Sequence, residues 1–393
     1  MERVTQKGSI RNDMRHTVII PSYNTLPHLK NTYESIKRYG VDVDIIIIDD
    51  ASEDGTAEWL VSLSDERLNR VLSPERKGHT YWYDEGMRMA ETDIVSILHS
   101  DMIIGPGYFE NLSKHLERGK VVCATRIEPP IHPAGKEKIV RDFGDEADSF
   151  KWEPFEEFVN KEKQDSLDKT TKGIFAPWML YKQDHLSIGG HDQRFAPYGY
   201  EDSDIFNRWI NAGYEMVQAR DSLVYHMTCR GHRWNKGVGI ENPDYRATMD
   251  KNAREFLRKW GDWIQNDEYQ YPIINPKYNK GIVLYRGKPL LLGTLEPWCD
   301  NLYVDMKQAI IDAYIEKEQP NTVVDLSKKI HTIDAEGADD IMIYIDGSKF
   351  SSTDGQYVQQ LAAILNQNKP EEGRFKIGNV EIEIIKYNEK VPD

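Results

Sequence analysis

The stretch Val43–Thr56, which reads VDIIIIDDASEDGT, decides the fold class of this 393-residue chain. Its β-branched run predicts a buried strand over 43–48, and the acidic turn after it predicts a helix over 54–63. Similar apolar runs recur, with amphipathic segments between them, at 17–20, 70–72, 94–98 and 121–124. Because crossover helices join parallel strands, we predict α/β architecture with repeated βα units around a mostly parallel sheet.

The regular pattern breaks over 142–172, where Asp, Glu and Lys are so frequent that we expect an exposed, mobile excursion. The elements predicted beyond it are helices over 201–212, 244–260, 302–318 and 356–365, strands over 223–226 and 341–345, and a hairpin turning at Gly378-Asn379. The predicted organisation is an N-terminal extension (1–15), a catalytic-sized α/β domain (16–266) and a smaller C-terminal α/β module (272–393).

Composition argues against several classes of protein. No stretch approaches the roughly 18 apolar residues of a membrane span, and the polar N-terminus lacks the apolar region of a signal peptide. The three cysteines, Cys123, Cys229 and Cys299, are too far apart for a zinc cluster or a disulfide framework. We therefore expect a cytoplasmic protein with no transmembrane segment.

The formal net charge of −15 argues against nucleic-acid binding. It also means that binding of a phosphate-bearing ligand would depend on a metal ion or a local basic patch.

Carboxylates follow two strands of the predicted sheet. Asp49 and Asp50 come directly after the second strand, and His99-Ser100-Asp101 follows the fourth. The carboxyl edge of an open α/β sheet is where ligands bind, and a hard divalent ion prefers oxygen ligands. The alternative is that the acidic turn only caps a helix, since Asp and Ser are favoured capping residues.

The segment VIIPSYN (18–24), together with the turn DDASEDGT (49–56), resembles the opening of family 2 glycosyltransferases. The resemblance implies a Rossmann-like GT-A fold, and it implies a donor site that includes Pro21, Tyr23, Asp49 and Asp50. It also aligns the D-x-D metal motif of that family with 99–101, so Asp101 is the implied metal ligand. His99 replaces the first acid of the motif and is expected near the donor ribose, or else it is a strand-end histidine without a ligand.

The segment APYGYEDSDIFNR (196–208) resembles the W-G-x-G-x-E-D-D-D-I-F-N-R segment of β-1,4-galactosyltransferases. The match implies that Asp202 is the general base, which takes the acceptor's proton while the anomeric configuration inverts. Glu201 would assist it, and Asp204 would bind acceptor hydroxyls or fix the loop. The alternative is that these acids only stabilise the start of a helix. Three aromatic residues are candidates for a sugar-binding platform, although such residues are more often in the core: Trp178, Tyr198 and Tyr200.

Enzymes with this resemblance place a metal-binding histidine after the base-bearing helix. His226 is the implied second metal ligand, and His232 is the alternative. The basic residues Arg230, Arg233 and Lys236 are expected to form a lid over the diphosphate, unless they belong to a solvated loop.

The resemblance therefore implies an inverting glycosyltransferase that depends on Mn or Mg. Its donor would be a nucleotide-diphosphate sugar, most commonly a UDP-sugar, and its acceptor a hydroxyl of a glycan or glycoconjugate. The alternative is an inactive carbohydrate-binding or scaffold protein on the same fold, against which the intact Asp101 and Asp202 argue. The C-terminal module contains none of these signals, so we expect it to be dispensable for donor hydrolysis.

Overall fold

The computed structural model describes residues 15–40, 42–228, 230, 232–234, 239–335, 337 and 339–390. The chain forms two compact units that interleave along the sequence. Within the described residues, the first unit comprises the chain up to His191, Arg208–Glu241 and Glu268–Tyr271. The second unit comprises Asp192–Asn207, Asn242–Asp267 and the chain from Pro272 onward. Among the described residues, no helix is both long and apolar enough to cross a membrane.

One mixed sheet of ten strands organises the first unit. The strands are β1 (His16–Ser22), β2 (Val43–Asp49), β3 (Leu68–Leu72), β4 (Ile94–Ile97), β5 (Met102–Ile104), β6 (Lys120–Glu128), β7 (Lys138–Val140), β8 (Thr170–Thr171), β9 (Trp178–Tyr181) and β10 (Glu215–His226). Their order is β3-β2-β1-β4-β9-β6-β10-β5, with β7 beside β6 and β8 beside β10. Strand β1 is parallel to both β2 and β4, so the carboxyl ends of these three strands meet at one edge.

Helices cover the strands of the first unit. They are α1 (Leu26–Tyr39), α2 (Thr56–Ser62), α3 (His79–Met89), α4 (Tyr108–Ser113), α5 (Trp152–Asp165) and α6 (Lys182–Ser187), and α7 (Glu201–Asn211) runs from the second unit into the first. A Cβ at Gly86 of α3 would lie 2.4 Å from a methyl group of Ile19, so glycine permits the close packing of α3 on β1. The predicted order of strands and helices in this region is confirmed.

The prediction of an exposed excursion over 142–172 is wrong in its central part. Helix α5 lies there, and its Phe155 and Val159 are buried in a cluster with Tyr225 of β10. The remaining surface of the helix carries many charged residues. They dominate the composition of the segment, and composition does not reveal the apolar spacing of the buried face.

A second sheet of six strands lies in the second unit, in the order β14-β13-β12-β15-β17-β16. The strands of this unit are β11 (Lys277–Tyr278), β12 (Lys280–Tyr285), β13 (Asn301–Val304), β14 (Ile330–Thr332), β15 (Ile341–Asp346), β16 (Gly373–Ile377), β17 (Val380–Ile384) and β18 (Glu389–Lys390). Its helices are α8 (Pro243–Trp260), α9 (Pro289–Leu295), α10 (Gln308–Glu318) and α11 (Ser352–Asn368).

The C-terminal part of the second unit is α/β, as predicted, and β16 and β17 form the hairpin predicted around Gly378-Asn379. The helix predicted over 302–318 begins too early. Leu302 and Val304 belong to β13, and α10 starts only at Gln308. The apolar run 302–304 packs in the core of the second sheet, and periodicity alone does not distinguish such a short run from a helical turn.

Candidate functional site

Asp50 holds the start of α3 at the carboxyl edge of the first sheet. Its Oδ1 accepts hydrogen bonds from the Lys77 amide (2.7 Å) and the Trp82 indole (2.6 Å), and its Oδ2 accepts one from the Gly78 amide (2.8 Å). These contacts account for both carboxylate oxygens. The structure therefore gives Asp50 a positioning role, and direct contact with the donor is not needed to explain it.

The other two aspartates of this turn, Asp54 and Asp49, differ in their contacts. Asp54 accepts from the Leu26 amide (2.8 Å) and the Thr56 hydroxyl (2.5 Å), which links the starts of α1 and α2, as the capping alternative predicts. Asp49 accepts from the Ser52 amide (3.1 Å), and burial raises the pKa of its carboxyl.

Two predicted donor-side residues lie on or next to β1. Pro21 is buried within the strand, whereas Tyr23 follows it and is half-buried. The Arg76 guanidinium lies 3.9 Å from the centroid of the Tyr23 ring. This is a cation–π contact, and the donor-binding role of Tyr23 stays a prediction.

A potential metal site combines three of the predicted residues. His99 and Asp101 follow β4, and the antiparallel pairing of β10 with β5 sets His226 opposite Met102. As a result, one ligand atom from each of His99, Asp101 and His226 lies within 4.8 Å of the other two. The Nε2 atom of His226 is 3.6 Å from Oδ1 of Asp101, and the rings of His99 and His226 are 5.5 Å apart.

Glu128 supports this site from behind, and the sequence analysis missed it. Its carboxylate accepts a hydrogen bond from Nδ1 of His226 (3.2 Å), which leaves Nε2 directed at Asp101. Arg126 (2.5 Å) and Lys138 (2.8 Å) also donate to Glu128. Burial acts to raise the pKa of Glu128, but the His226 hydrogen bond and Arg126 outweigh it and hold that pKa well below its usual range.

The electrostatics of His99 and Asp101 suit metal ligation. Burial, assisted by the nearby His226, lowers the pKa of His99 to about 3, so its imidazole is neutral at pH 7. Burial opposes ionisation of Asp101, but His226 and His99 outweigh it and lower the pKa of that carboxyl. A neutral imidazole beside an ionised carboxylate is the protonation state that a divalent cation requires.

The predicted basic lid is described only in part. The Arg230 amide donates to Oδ2 of Asp101 (3.2 Å), while the Arg230 guanidinium pairs with Glu146 (3.4 Å) and the Asp145 carbonyl. Arg233 pairs with Glu241 at 2.8 Å. His232, the alternative ligand, donates a hydrogen bond through Nδ1 to the Arg230 carbonyl (3.2 Å), and it is not part of the group formed by His99, Asp101 and His226. Lys236 lies outside the described residues.

A second buried group consists of Asp84, His185 and His191. Oδ1 of Asp84 lies 2.9 Å from Nε2 of His185 and 2.7 Å from Nδ1 of His191, and Oδ2 accepts from the His191 amide (2.8 Å). Burial lowers the pKa of His185 to about 4. The distances are those of hydrogen bonds, so the three residues form a hydrogen-bonded cluster that joins α3 to the Gly189–His191 turn.

The three acids at the start of α7 have different environments. Glu201 is buried, Asp202 is half-buried, and Asp204 has no exposed surface. Asp204 accepts from the Trp260 indole (2.9 Å) and pairs with Lys259 (2.8 Å), which joins α7 to α8 within the second unit. These contacts agree with the loop-fixing alternative, and binding of an acceptor by Asp204 stays a prediction. Asp202 keeps the accessibility that a general base needs.

The predicted aromatic platform does not form as expected. Trp178 has no exposed surface and packs edge-on against Trp209 at 5.0 Å, and Tyr198 is only 4% exposed. Both are buried, as the alternative of core residues predicts, and their assignment to the acceptor site stays a prediction. Tyr200 is half-buried, with a backbone φ of 72°, and its role stays a prediction.

Comparisons with known proteins show which proteins this chain is similar to. Residues 17–187 match the family described as glycosyl transferase family 2, and residues 164–232 match the one described as N-terminal domain of galactosyltransferase. The chain is 25% identical over 256 residues to the uncharacterized glycosyltransferase YfnE of Bacillus subtilis (strain 168), covering 54% of this chain and 64% of that protein.

It is also 25% identical over 276 residues to a validoxylamine A glucosyltransferase of Streptomyces hygroscopicus subsp. jinggangensis (strain 5008), covering 62% of this chain and 60% of that protein. The matches thus span less than two thirds of the length of either relative. Among solved structures, GalNAc-T7 with UDP, GalNAc and Mn2+ aligns with a TM-score of 0.46 and 14% identity, over 65% of this chain and 48% of that one.

Proposed function

We propose that this chain, whose residues 17–187 belong to glycosyltransferase family 2, transfers a sugar from a nucleotide-diphosphate donor to a hydroxyl acceptor with inversion. The observation that carries the proposal is the convergence of His99, Asp101 and His226 at the carboxyl edge of the first sheet. This is the edge at which open α/β sheets bind nucleotides. We take a UDP-sugar as the first donor to test and a glycan or glycoconjugate as the acceptor.

The residues present fit a divalent metal. Asp101 and His226 supply an oxygen and a nitrogen ligand that face each other, and Glu128 fixes the ring of His226. When bound, such an ion neutralises the charge that develops on a departing diphosphate. The protein's own part is to hold these ligands and to keep the start of α3 in place through Asp50.

Asp202 is the acid that we assign to proton transfer. Its carboxylate is more accessible than those of its neighbours Glu201 and Asp204. In the proposed reaction the acceptor oxygen bonds to the anomeric carbon, the bond from that carbon to the diphosphate breaks, and the acceptor's proton passes to Asp202. A single displacement of this kind inverts the anomeric configuration.

The test is release of nucleotide diphosphate from a panel of nucleotide sugars, with and without Mn2+, followed by anomeric-proton NMR of the product. We expect metal-stimulated release with one donor and an inverted product. An Asp101→Ala variant should lose the metal stimulation. A protein that binds donor or glycan but releases no diphosphate would instead be the inactive binding protein, and a product that retains the donor configuration would refute inversion.

A further inference from the structure

We propose that His99 is a third protein ligand of the metal and that the site selects a transition-metal ion, such as Mn2+ or Co2+, over Mg2+. The inference rests on the proposed metal dependence of the enzyme but concerns which ion the protein takes and through which side chains. On this proposal, His99 at the first position of the D-x-D-like motif changes which metal the site prefers but does not abolish the site.

The geometry suits three ligands on one ion. Two ligand atoms that are each about 2.1 Å from an ion lie about 3 to 4 Å apart, depending on the angle between them. The Asp101 oxygen and the His226 nitrogen are 3.6 Å apart, and a nitrogen of His99 completes a group within 4.8 Å. Small rotations of the side chains are therefore enough to bring all three onto one ion.

Both imidazole rings are held in place. His226 is fixed by Glu128, which occupies its other ring nitrogen, as a carboxylate does for many metal-binding histidines. His99 lies beside two neighbouring aromatic rings of α3 and is nearly parallel to both, with His79 at 6.4 Å and Tyr83 at 6.5 Å. Rings held by packing lose little additional freedom on binding an ion, which increases affinity.

The ligand types determine the selectivity. Two nitrogens and one oxygen suit first-row transition metals, whose affinity for imidazole rises along the series after Mn2+. Mg2+ prefers oxygen ligands and retains its water. An imidazole in place of a carboxylate therefore weakens the binding of Mg2+ more than the binding of a transition-metal ion. One carboxylate in the group also leaves less negative charge to attract a hard ion than two would.

The test measures metal binding directly on the full chain. Co2+ binding is followed by visible absorption, Mn2+ binding by electron paramagnetic resonance, and Mg2+ by competition against Mn2+. We expect Mn2+ to bind at least about tenfold more tightly than Mg2+, and a Co2+ spectrum with nitrogen ligation. His99→Asp should reduce the ratio of Mn2+ to Mg2+ affinity by about tenfold or more, because it restores a second carboxylate.

Two variants of the surrounding ion network give a matched comparison. Glu128→Gln should weaken Mn2+ binding by about 10- to 100-fold, the effect typical of losing the partner of a metal-bound histidine. Glu137→Gln is the control, since Glu137 is also buried and its described ion pair is with Arg126 (3.6 Å), not with His226. The control should bind Mn2+ like the wild type, and metal-free circular dichroism would confirm that both variants are folded.

The proposal is wrong if His99→Asp leaves the affinity ratio unchanged, if Glu128→Gln and Glu137→Gln bind Mn2+ equally, or if the Co2+ spectrum is lost on His185→Gln but not on His99→Ala. Should Glu128→Gln fail to fold, the two His99 variants decide the question alone. No donor is present in these measurements, so normal selectivity without sugar transfer would refute the proposed function and leave this inference standing.

Discussion

At the scale of single residues, Asp202 and Asp204 allow the proposed catalytic role and a structural role to be tested separately within one helical turn. Asp202→Asn removes proton acceptance but little else, so we expect a folded protein whose turnover falls by about 10²- to 10⁴-fold, with donor affinity nearly unchanged. Transfer kinetics would measure this. Near-normal turnover in the folded variant would rule out Asp202 as the base.

Asp204→Asn is the comparison for Asp202→Asn, because Asp204 is fully buried between the Trp260 indole and the Lys259 ammonium. We expect this variant to lose about 1.5 to 3 kcal/mol of unfolding free energy, the usual contribution of a hydrogen bond to a charged group, because Lys259 keeps its pair with Asp192 (2.7 Å) but loses the one with Asp204. Denaturant unfolding would measure the loss. A variant as stable as the wild type would contradict the structural role that we assign to Asp204.

His185 makes the stability of the first unit depend on pH. Its folded pKa of about 4 lies below the ordinary value of 6.5, so the unfolded chain binds more protons between these pH values and stability falls as pH falls. From pH 6.5 to pH 5 we expect His185 to account for about 1.6 kcal/mol of this loss. His185→Gln removes the titrating group and should have a flatter dependence of unfolding free energy on pH. An unchanged slope would show that other groups cause it.

At the scale of elements, α3 is positioned by a residue that belongs to another element. Asp50 follows β2 and receives three hydrogen bonds from the start of α3, and α3 in turn supplies the rings that stack on His99. We expect Asp50→Ala to cost about 2 to 4 kcal/mol, because it leaves buried donors unsatisfied. Thermal unfolding and donor titration together would test it. If Asp50→Ala instead lost donor affinity while keeping wild-type stability, Asp50 would be a residue that contacts the nucleotide directly.

At the scale of the whole molecule, the second unit joins α8 to the C-terminal part of the chain. Glu296, which has no exposed surface, pairs with Arg258 (2.7 Å), Arg254 (3.1 Å) and Lys329 (2.7 Å). Arg258 and Arg254 lie on α8, inside the region that the sequence assigns to the catalytic domain. The segment that carries Asp202 belongs to the same compact unit.

A chain that ends near Asn266 would keep Arg258 but lose its partners Glu296 and Glu318. Contrary to the expectation from sequence, we now expect this truncated protein to be unstable or aggregated, since each broken buried pair costs about 3 to 5 kcal/mol. Expression, circular dichroism and donor binding would test it. The full chain with Glu296→Gln serves as the milder comparison and should unfold at a lower temperature. A folded truncated protein that hydrolyses donor would restore the sequence-based division.

Much of the site could be predicted because it depends on local patterns. The strand ends that carry Asp49, Asp101 and His226 follow from apolar runs, and the order of these runs indicates a sheet edge where they meet. The roles of Asp50, Asp204 and Trp178 could not be predicted. Each depends on whether a side chain faces another element or the solvent, and composition does not contain that information.

The sequence alone determined the order of the βα units and the acidic strand ends, because hydrophobic periodicity and turn chemistry are local properties of the chain. The candidate base Asp202 came from the resemblance of its segment to β-1,4-galactosyltransferases. The tertiary structure decided that Glu128 supports His226, that His99 joins Asp101, and that Trp178 and Asp204 are buried. These facts depend on the register between β6, β10 and β5 and on helix packing. Such contacts join residues up to about a hundred positions apart, and only the folded chain brings them within hydrogen-bonding distance.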